Sequence, residues 1–412
     1  MENWKMTTIA ECSTILGDGL HGTPKYDNAG EYAFINGNNL ADGHIVIKTD
    51  TKRVVKSEYE KHKKDLTERT VLVSINGTLG NVAVYNGEKV ILGKSACYFN
   101  VAEHCDVQFM RYVVSSPRFK QYINAVATGT TIKNVSLKQM REYAFPIPEL
   151  VEQKRIARVL YSLDQKISTN RQINDNLLRQ AQLLFQSWFV DYQPFGGQRP
   201  NDWTEGVFAD IVDFSNGYAF KSKELLDAPL PDCYRVFKQG HIFRGGGFNP
   251  DGTKSWYPRC KADGLKKYVL KKGDILMAMT DMKDNVQILG NTAIMEVDDQ
   301  YIVNQRVGVL RCKKERGISY PYVFLLTNGK EFLLDLRSRA NSGVQVNLSS
   351  TEIKNSPIYI APRHVYDEFT NIVLPMFESM ISNDIQNQQL AELRDTLLPK
   401  LMSGELEVTD IH

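Results

Sequence analysis

Apolar positions along this 412-residue chain follow two patterns, and each pattern occurs twice. The shorter one consists of β-branched or alternating runs at 71–75, 82–85 and 98–101, and again at 275–279, 292–295 and 307–310, each bounded by Gly or Asn turns. Period-2 runs between turn residues read as strands. Apolar residues at helical spacing follow at 106–115, 118–127 and 320–336, so each globular unit reads as α+β. The longer pattern runs from Glu152 to Val190 without Gly or Pro. Its seam steps alternately by four and three residues through Ile156, Leu160, Leu163, Ile167, Asn170, Asn174, Leu177, Ala181, Leu184 and Trp188. Such a seam, sustained over several heptads, is the signature of a coiled-coil helix. At 1.5 Å per residue it spans roughly 50 Å.

The same seam returns 213 residues later as Phe369, Val373, Met376, Met380, Asn383, Asn387, Leu390, Arg394, Leu397 and Leu401. At the centre of both copies an apolar residue is twice replaced by Asn. A polar seam residue fixes register and partner at a cost in stability, because it must find a polar partner. Antiparallel pairing sets Asn170 opposite Asn387 and Asn174 opposite Asn383. The helix-pairing set is therefore Leu160, Leu163, Ile167, Asn170, Asn174 and Leu177 on one helix, with Met376, Met380, Asn383, Asn387, Leu390 and Leu397 on the other. Pro375 and Pro399 each remove a backbone donor and crowd the preceding turn, which predicts a kink near the first and a break near the second.

The globular parts repeat as well. Trp4, Ile9, Ala10 and Glu11 reappear as Trp203, Phe208, Ala209 and Asp210; Gly80-Asn81-Val82-Ala83-Val84 reappears as Gly290-Asn291-Thr292-Ala293-Ile294; and Gly129 to Ser136 parallels Gly343 to Ser349 with one residue deleted. A duplication of this kind dictates architecture. The reading is α+β throughout: two tandem globular domains at 1–151 and 193–363, separated by two long antiparallel coiled-coil helices, at 152–192 and, with a short tail, at 364–412.

Composition narrows the class. A 42% hydrophobic and 24% charged chain is ordinary globular protein, and net charge is only +2. Basic residues nevertheless crowd two stretches: Lys48, Lys52, Arg53, Lys56, Lys61, Lys63 and Lys64, then Lys254, Arg259, Lys261, Lys266, Lys267, Lys271 and Lys272. Taken one at a time, such clusters read as solvated faces. The N-terminus lacks a basic-then-apolar signal pattern and no apolar run approaches membrane-spanning length, which leads us to expect a cytoplasmic protein. The six cysteines form no C-x-x-C pair and show no histidines at metal-ligand spacing, so the sequence points to neither a disulfide framework nor a metal site. Cys97 and His104, the one conceivable nucleophile and base, occur in one half only. No phosphate-binding loop, G-x-S-x-G elbow or H-E-x-x-H is present, and no catalytic carboxylate pair recurs in both halves. We expect no catalytic residue and no metal.

Two diverged readers on a helical spacer suit a long, partly symmetric ligand, and duplex DNA, with one turn per about 34–36 Å, is the commonest. The segment Phe145-Pro-Ile-Pro-Glu-Leu-Val-Glu-Gln-Lys-Arg-Ile156 entering the first long helix and Leu397-Leu-Pro-Lys-Leu-Met-Ser-Gly-Glu-Leu406 ending the second resemble the specificity subunit of a type I restriction-modification enzyme. The duplicated Trp and the Gly-Asn-x-Ala turns agree with it. The resemblance covers the whole chain. It implies two target-recognition domains, each binding one half of a split, asymmetric double-stranded DNA site, and helices that set the spacer and bind two modification subunits. It also implies that S-adenosylmethionine and adenine methylation belong to those partners, that separate restriction subunits translocate and cut DNA, and that this chain is a non-catalytic subunit with no cofactor of its own. The alternatives are a coiled-coil scaffold with two protein- or carbohydrate-binding domains, which predicts no salt-dependent DNA binding, and an enzyme with a site between the domains.

Base edges are read by Asn, Gln, Arg, Lys, Ser and Thr, and phosphates by Lys, Arg and backbone amides. Polar loops at equivalent places in the two copies supply the candidates. The first reader offers His21, Lys25, Asn36, Asn38, Asn39, Asn76, Thr130, Thr131 and Lys133; the second offers Lys221, Lys223, Lys238, Gln239, His241, Arg244, Thr280, Lys283, Gln345 and Asn347. Gly80-Asn81 and Gly290-Asn291 recur unchanged, which points to turn geometry and not to readout. Replacing the side chains of 238–244 is expected to weaken DNA binding without unfolding the protein.

Overall fold

The computed structural model describes residues 4–282, 286–342 and 345–408. The chain divides into two compact units, Met1–Asn170 with Gln386–His412, and Arg171–Ile385.

In the first unit, strands Ser13–Asp18, Ala96–Val101, Thr70–Ser74 and Val82–Val84 form, in that order, an antiparallel sheet. A smaller sheet orders Arg53–Val54, Tyr32–Ile35 and Val90–Leu92, the last two parallel. Lys5–Thr8 pairs with Ala144–Ile147. Every residue of Thr70–Ser74 and Ala96–Val101 is buried, which explains their near-continuous apolar pattern. Helices Val107–Ser115 and Pro117–Val126 cover the sheet; Asp106 accepts the Phe109 amide hydrogen bond at the first N-terminus and Ser116, extended at φ −64° and ψ 151°, caps the second.

The second unit has the same topology. Val212–Asn216, Val307–Cys312, Ile275–Ala278 and Thr292–Ile294 form the four-stranded sheet, and Cys233–Phe237 runs parallel to Tyr301–Val303 with Trp256–Pro258 on its other edge. Thr204–Val207 pairs with Pro357–Ile360. The apolar run at 320–336 is not one helix: Tyr320–Asn328 and Lys330–Ser338 are separated by Gly329, extended at φ −66° and ψ 142°. Gly329 stands where Ser116 stands in the first repeat.

The first long helix, Leu150–Phe185, ends in a π turn at Gln186–Val190. The second, Arg363–Ser403, is a single 41-residue helix that continues through both prolines, so the break expected near Pro399 is absent. Pro375 and Pro399 lie on the exposed face, as do Asn371 and Asp395 four residues before them. Carbonyls freed by the missing donors there can bond water, so the helix continues.

Each unit builds its core around one end of these helices. In the first, Ile156, Ala157, Leu160, Leu398 and Leu401 join Phe109, Tyr112 and Phe145 in one cluster. Asn170, fully buried, donates to Gln386 Oε1 at 2.8 Å and to Asn387 Oδ1 at 3.0 Å. Between this polar layer and Leu401, Asp164 accepts from Arg111 at 2.7 Å, from the Tyr112 hydroxyl at 2.6 Å and from Arg394 at 2.8 Å. In the second unit, Ala181 and Phe185 pack with Tyr366, Phe369, Val373 and Phe377. There Asn383 donates to Asn174 Oδ1 at 2.8 Å, while Asn174 donates to Asp384 Oδ1 at 2.9 Å. Leu163, Leu177, Met376, Leu390 and Leu397 are half-buried, and Ile167 and Met380 buried. Among the described residues no helix is long and apolar enough to cross a membrane.

Candidate nucleic-acid interface

Parallel pairing of Tyr32–Ile35 with Val90–Leu92 brings the ends of both strands to one edge of the first unit. Asn36 and Asn38 there meet Asn76 and Thr78, together with Lys94 and Ser95, around a polar recess of about 420 Å³. Ser95 donates to Asn36 Oδ1 at 3.0 Å, and the Gly37 amide donates to Ser95 Oγ at 2.9 Å. Two further loops are tied to the same place. The Leu20 amide donates to the Leu92 carbonyl at 2.7 Å, which sets His21 beside this edge, and the Gly77 amide donates to the Lys133 carbonyl at 3.0 Å, which draws in the exposed Thr130, Thr131 and Lys133. His21 contacts Asp18 at 2.6 Å. Lys25 is exposed, and its amide donates to Glu58 on the helix Lys56–His62.

The second unit assembles the corresponding loops by the same strand pairing. The exposed Gln305 and Arg306 follow Tyr301–Val303 as Lys94 and Ser95 follow Val90–Leu92. The Met279 amide donates to the Arg306 carbonyl as the Ile75 amide donates to that of Ser95, and the Gln305 amide donates to the Tyr218 carbonyl. Thr280 pairs with Asn347 where Asn76 pairs with Asn134. Gln239 links to Thr280, donating to its carbonyl and accepting from its hydroxyl at 3.0 Å. Lys238 is half-exposed; Arg244, Gln345 and Asn347 are exposed; Lys221 and Lys223 lie exposed on and beside the turn Ser222–Glu224. Lys283 lies outside the described residues.

Two candidates require correction. Asn39 is only 4% exposed, and its side chain is consumed locally: Oδ1 accepts from the Asn36 amide at 3.0 Å and Nδ2 donates to the Val46 carbonyl at 3.0 Å. His241, fully buried, does the same work in the second repeat, its Nδ1 accepting from the Lys238 amide at 3.1 Å while the ring stacks near Phe237 and Phe248. Burial, with Arg235 nearby, pushes its pKa down to about 4, so the ring is neutral. These two residues close 3₁₀ turns at Gly37–Asn39 and Gln239–His241; they lock the loops and cannot reach a base. Replacing 238–244 as a block therefore disturbs the core at His241, and Lys238 and Arg244 are the residues of that segment free to be tested.

Sequence reasoning missed Lys94, Gln305 and Arg306. The signal lies in the repeat: the two pairs follow equivalent strands, Leu92-Gly93 and Val303-Asn304, and both are polar. Gly80 and Gly290 adopt left-handed conformations, φ +81° and +77°. Asn81 beside the first donates to the Gly37 carbonyl at 3.1 Å, and Asn291 beside the second donates to Asn328 at 3.1 Å. Both are turn-forming residues. The basic clusters are partly neutralised: Lys61 meets Glu58, Lys63 meets Glu60, and Arg259 meets Asp232 and Asp299.

What the arrangement provides, twice, is a patch of amides, hydroxyls and cations held by a rigid sheet edge, with different side chains at matching places. Known proteins are similar to this chain in sequence and fold. Over its whole length the chain is 23% identical to the type I restriction enzyme MjaIX specificity subunit of Methanocaldococcus jannaschii, covering 95% of that protein. It is 22% identical to the HindI specificity subunit of Haemophilus influenzae over 73% of this chain and 77% of the other. The crystal structure of the type I restriction-modification S subunit from M. genitalium has the same fold, with a TM-score of 0.59 at 20% identity over 97% of this chain and 96% of that one. The family model for the type I restriction modification DNA specificity domain matches residues 1–179 and 200–364, one match on each repeat, and the chain belongs to that family.

Proposed function

We propose that this chain is the specificity subunit of a type I restriction-modification assembly, reading a bipartite, asymmetric site in double-stranded DNA, one half with each repeat. The observation that carries this reading is the pair of equivalent loop clusters. Asn36, Lys94, Ser95 and Asn76 of the first repeat are replaced by Lys238, Gln305, Arg306 and Thr280 in the second, while the turn locks and sheet topology around them are retained. Side chains that change on a scaffold that does not are what two half-sites of different sequence require. The cations bind phosphates; Asn, Gln, Thr and Arg match the donor and acceptor patterns of base edges. Among the candidates, Asn36, Asn38, Asn76, Thr130, Thr131 and Lys133 of the first repeat and Lys238, Gln239, Arg244, Thr280, Gln345 and Asn347 of the second are the reading residues, with Gln305 and Arg306 added, while Lys94 holds phosphate beside Asn36. His21, Lys25, Lys221 and Lys223 hold phosphate at the margins.

The chemistry belongs to partners: modification subunits that hold S-adenosylmethionine and methylate adenine, and restriction subunits that cut. This chain acts in the cytoplasm as their non-catalytic guide. The test is to express it with its modification partner in a methylation-free host and sequence the methylome. A split adenine-methylated motif with two unlike halves is the expected result. A continuous motif, or no motif from an assembled complex, overturns the proposal.

A further inference from the structure

One cluster in the first unit plays no part in reading DNA. Cys12 follows the strand Lys5–Thr8, and His104 and Cys105 lie just before the helix Val107–Ser115. The fold brings them together so that the two sulfurs and a ring nitrogen all lie within 4.8 Å of one another. Their separation in sequence hides this, which is why spacing alone shows no metal site. Four-coordinate zinc, with Zn–S of about 2.3 Å and Zn–N of about 2.0–2.1 Å, spaces its ligand atoms about 3.5–3.8 Å apart, so small movements close the set.

The surroundings hold the ligands in place. The guanidinium of Arg69 donates to the carbonyls of Val101, Ala102 and Cys105, each at 2.8 Å, and the Ala102 amide donates to the Cys12 carbonyl at 2.9 Å. The contact with Cys12 and burial push the Cys105 thiol well up, and the Arg69 cation only partly offsets them, so its proton leaves only as a metal binds. Cys12 and Cys105 are buried, whereas His104 is exposed, its ring making no hydrogen bond among the described residues.

The second repeat provides an internal control. The Lys313 amide donates to the Ile211 carbonyl as the Ala102 amide does to that of Cys12, and Ile318 precedes the N-cap Ser319 as Cys105 precedes Asp106. Ile211 and Ile318 are both buried. The fold therefore needs only apolar volume at these places, and the paired sulfurs of the first repeat are an addition to it.

We propose that Cys12, His104 and Cys105 form a site for a zinc-class divalent cation, with a fourth position open to water or an external ligand. On binding, two metal–sulfur bonds form and the two thiol protons pass to solvent, while His104 binds through a neutral ring nitrogen. Titrating the reduced, full-length protein with Co²⁺ tests this. Expected are thiolate-to-cobalt absorption and four-coordinate d–d bands that saturate at one equivalent and are displaced by Zn²⁺. Cys105→Ala abolishes the thiolate band. His104→Ala, on an exposed loop that leaves folding intact, weakens binding by at least about tenfold, the loss produced even by outer-shell changes. A folded wild-type protein without the thiolate band overturns the proposal, as does a band unchanged by His104→Ala or Cys105→Ala.

Discussion

Within a single loop, neighbouring asparagines do opposite work. Asn39 satisfies the Asn36 amide and is itself bonded to Val46, so Asn39→Ala leaves a half-buried N–H unpaired and is expected to cost about 1–3 kcal/mol. Asn38 is exposed, and Asn38→Ala should leave stability unchanged while relaxing the choice of bases. Urea unfolding and competition binding separate the two; equal destabilisation by both variants contradicts the assignment of the lock. Lys94 makes the corresponding electrostatic prediction: Lys94→Ala weakens binding to all sequences and lowers the salt slope by about one. Composition made the polar loops legible because base-reading residue types are few. It could not separate Asn38 from Asn39, whose difference is which side chain turns back to the chain. Nor could it find Lys94, placed beside Asn36 by a parallel pairing between strands far apart in sequence.

The long helices were the most legible elements, because a seam of alternating four- and three-residue steps has one physical meaning. Its two asparagine layers are each closed by hydrogen bonds within their own unit. Pattern alone did not explain Arg394, a charge at a seam position, because its partner Asp164 lies outside the seam. Burial by itself would raise the Asp164 pKa, but Arg111, the Tyr112 hydroxyl and Arg394 outweigh it and hold the group below the ordinary value. Asp164→Asn strands the buried Arg111 cation and should cost about 3–5 kcal/mol in urea unfolding; a loss under about 1 kcal/mol contradicts this. The second unit holds the opposite case. Glu296 and Asp384 line one cavity of about 290 Å³. Burial, aided by Asp384, pushes Glu296 up to about 8, and burial pushes Asp384 up to about 6. Because the folded state holds these protons more tightly than the unfolded chain, their contribution is complete below about pH 4 and is lost as pH rises through about 6 and then about 8. Glu296→Gln should flatten the upper part of that decline. An unaltered slope of stability between pH 6 and 8 contradicts it.

At the level of the molecule, duplication was readable because turn motifs such as Gly80-Asn81 and Gly290-Asn291 are held by backbone geometry and survive divergence. The division of the chain was not. It falls inside the long helices, at Asn170 and Gln386, because each core takes in the helix ends nearest to it, and a seam continuous in sequence gives no sign of such a boundary. This organisation predicts how specificity changes. Lys238 and Arg306 lie on the loop edge of the second repeat and outside the core clusters, and the hydrogen bonds between Lys238 and the His241 lock use the Lys238 backbone and not its side chain. Lys238→Ala with Arg306→Ala should therefore leave folding and assembly intact. A side chain that hydrogen-bonds a base edge well supplies about 1–3 kcal/mol of discrimination, and its removal is enough to turn a fixed position into a degenerate one. In the methylome of cells carrying this variant with its modification partner, one half of the motif should become degenerate while the other half and the spacer stay fixed. Relaxation of both halves together would mean that the repeats do not read separately, and an unaltered motif would place the reading residues elsewhere.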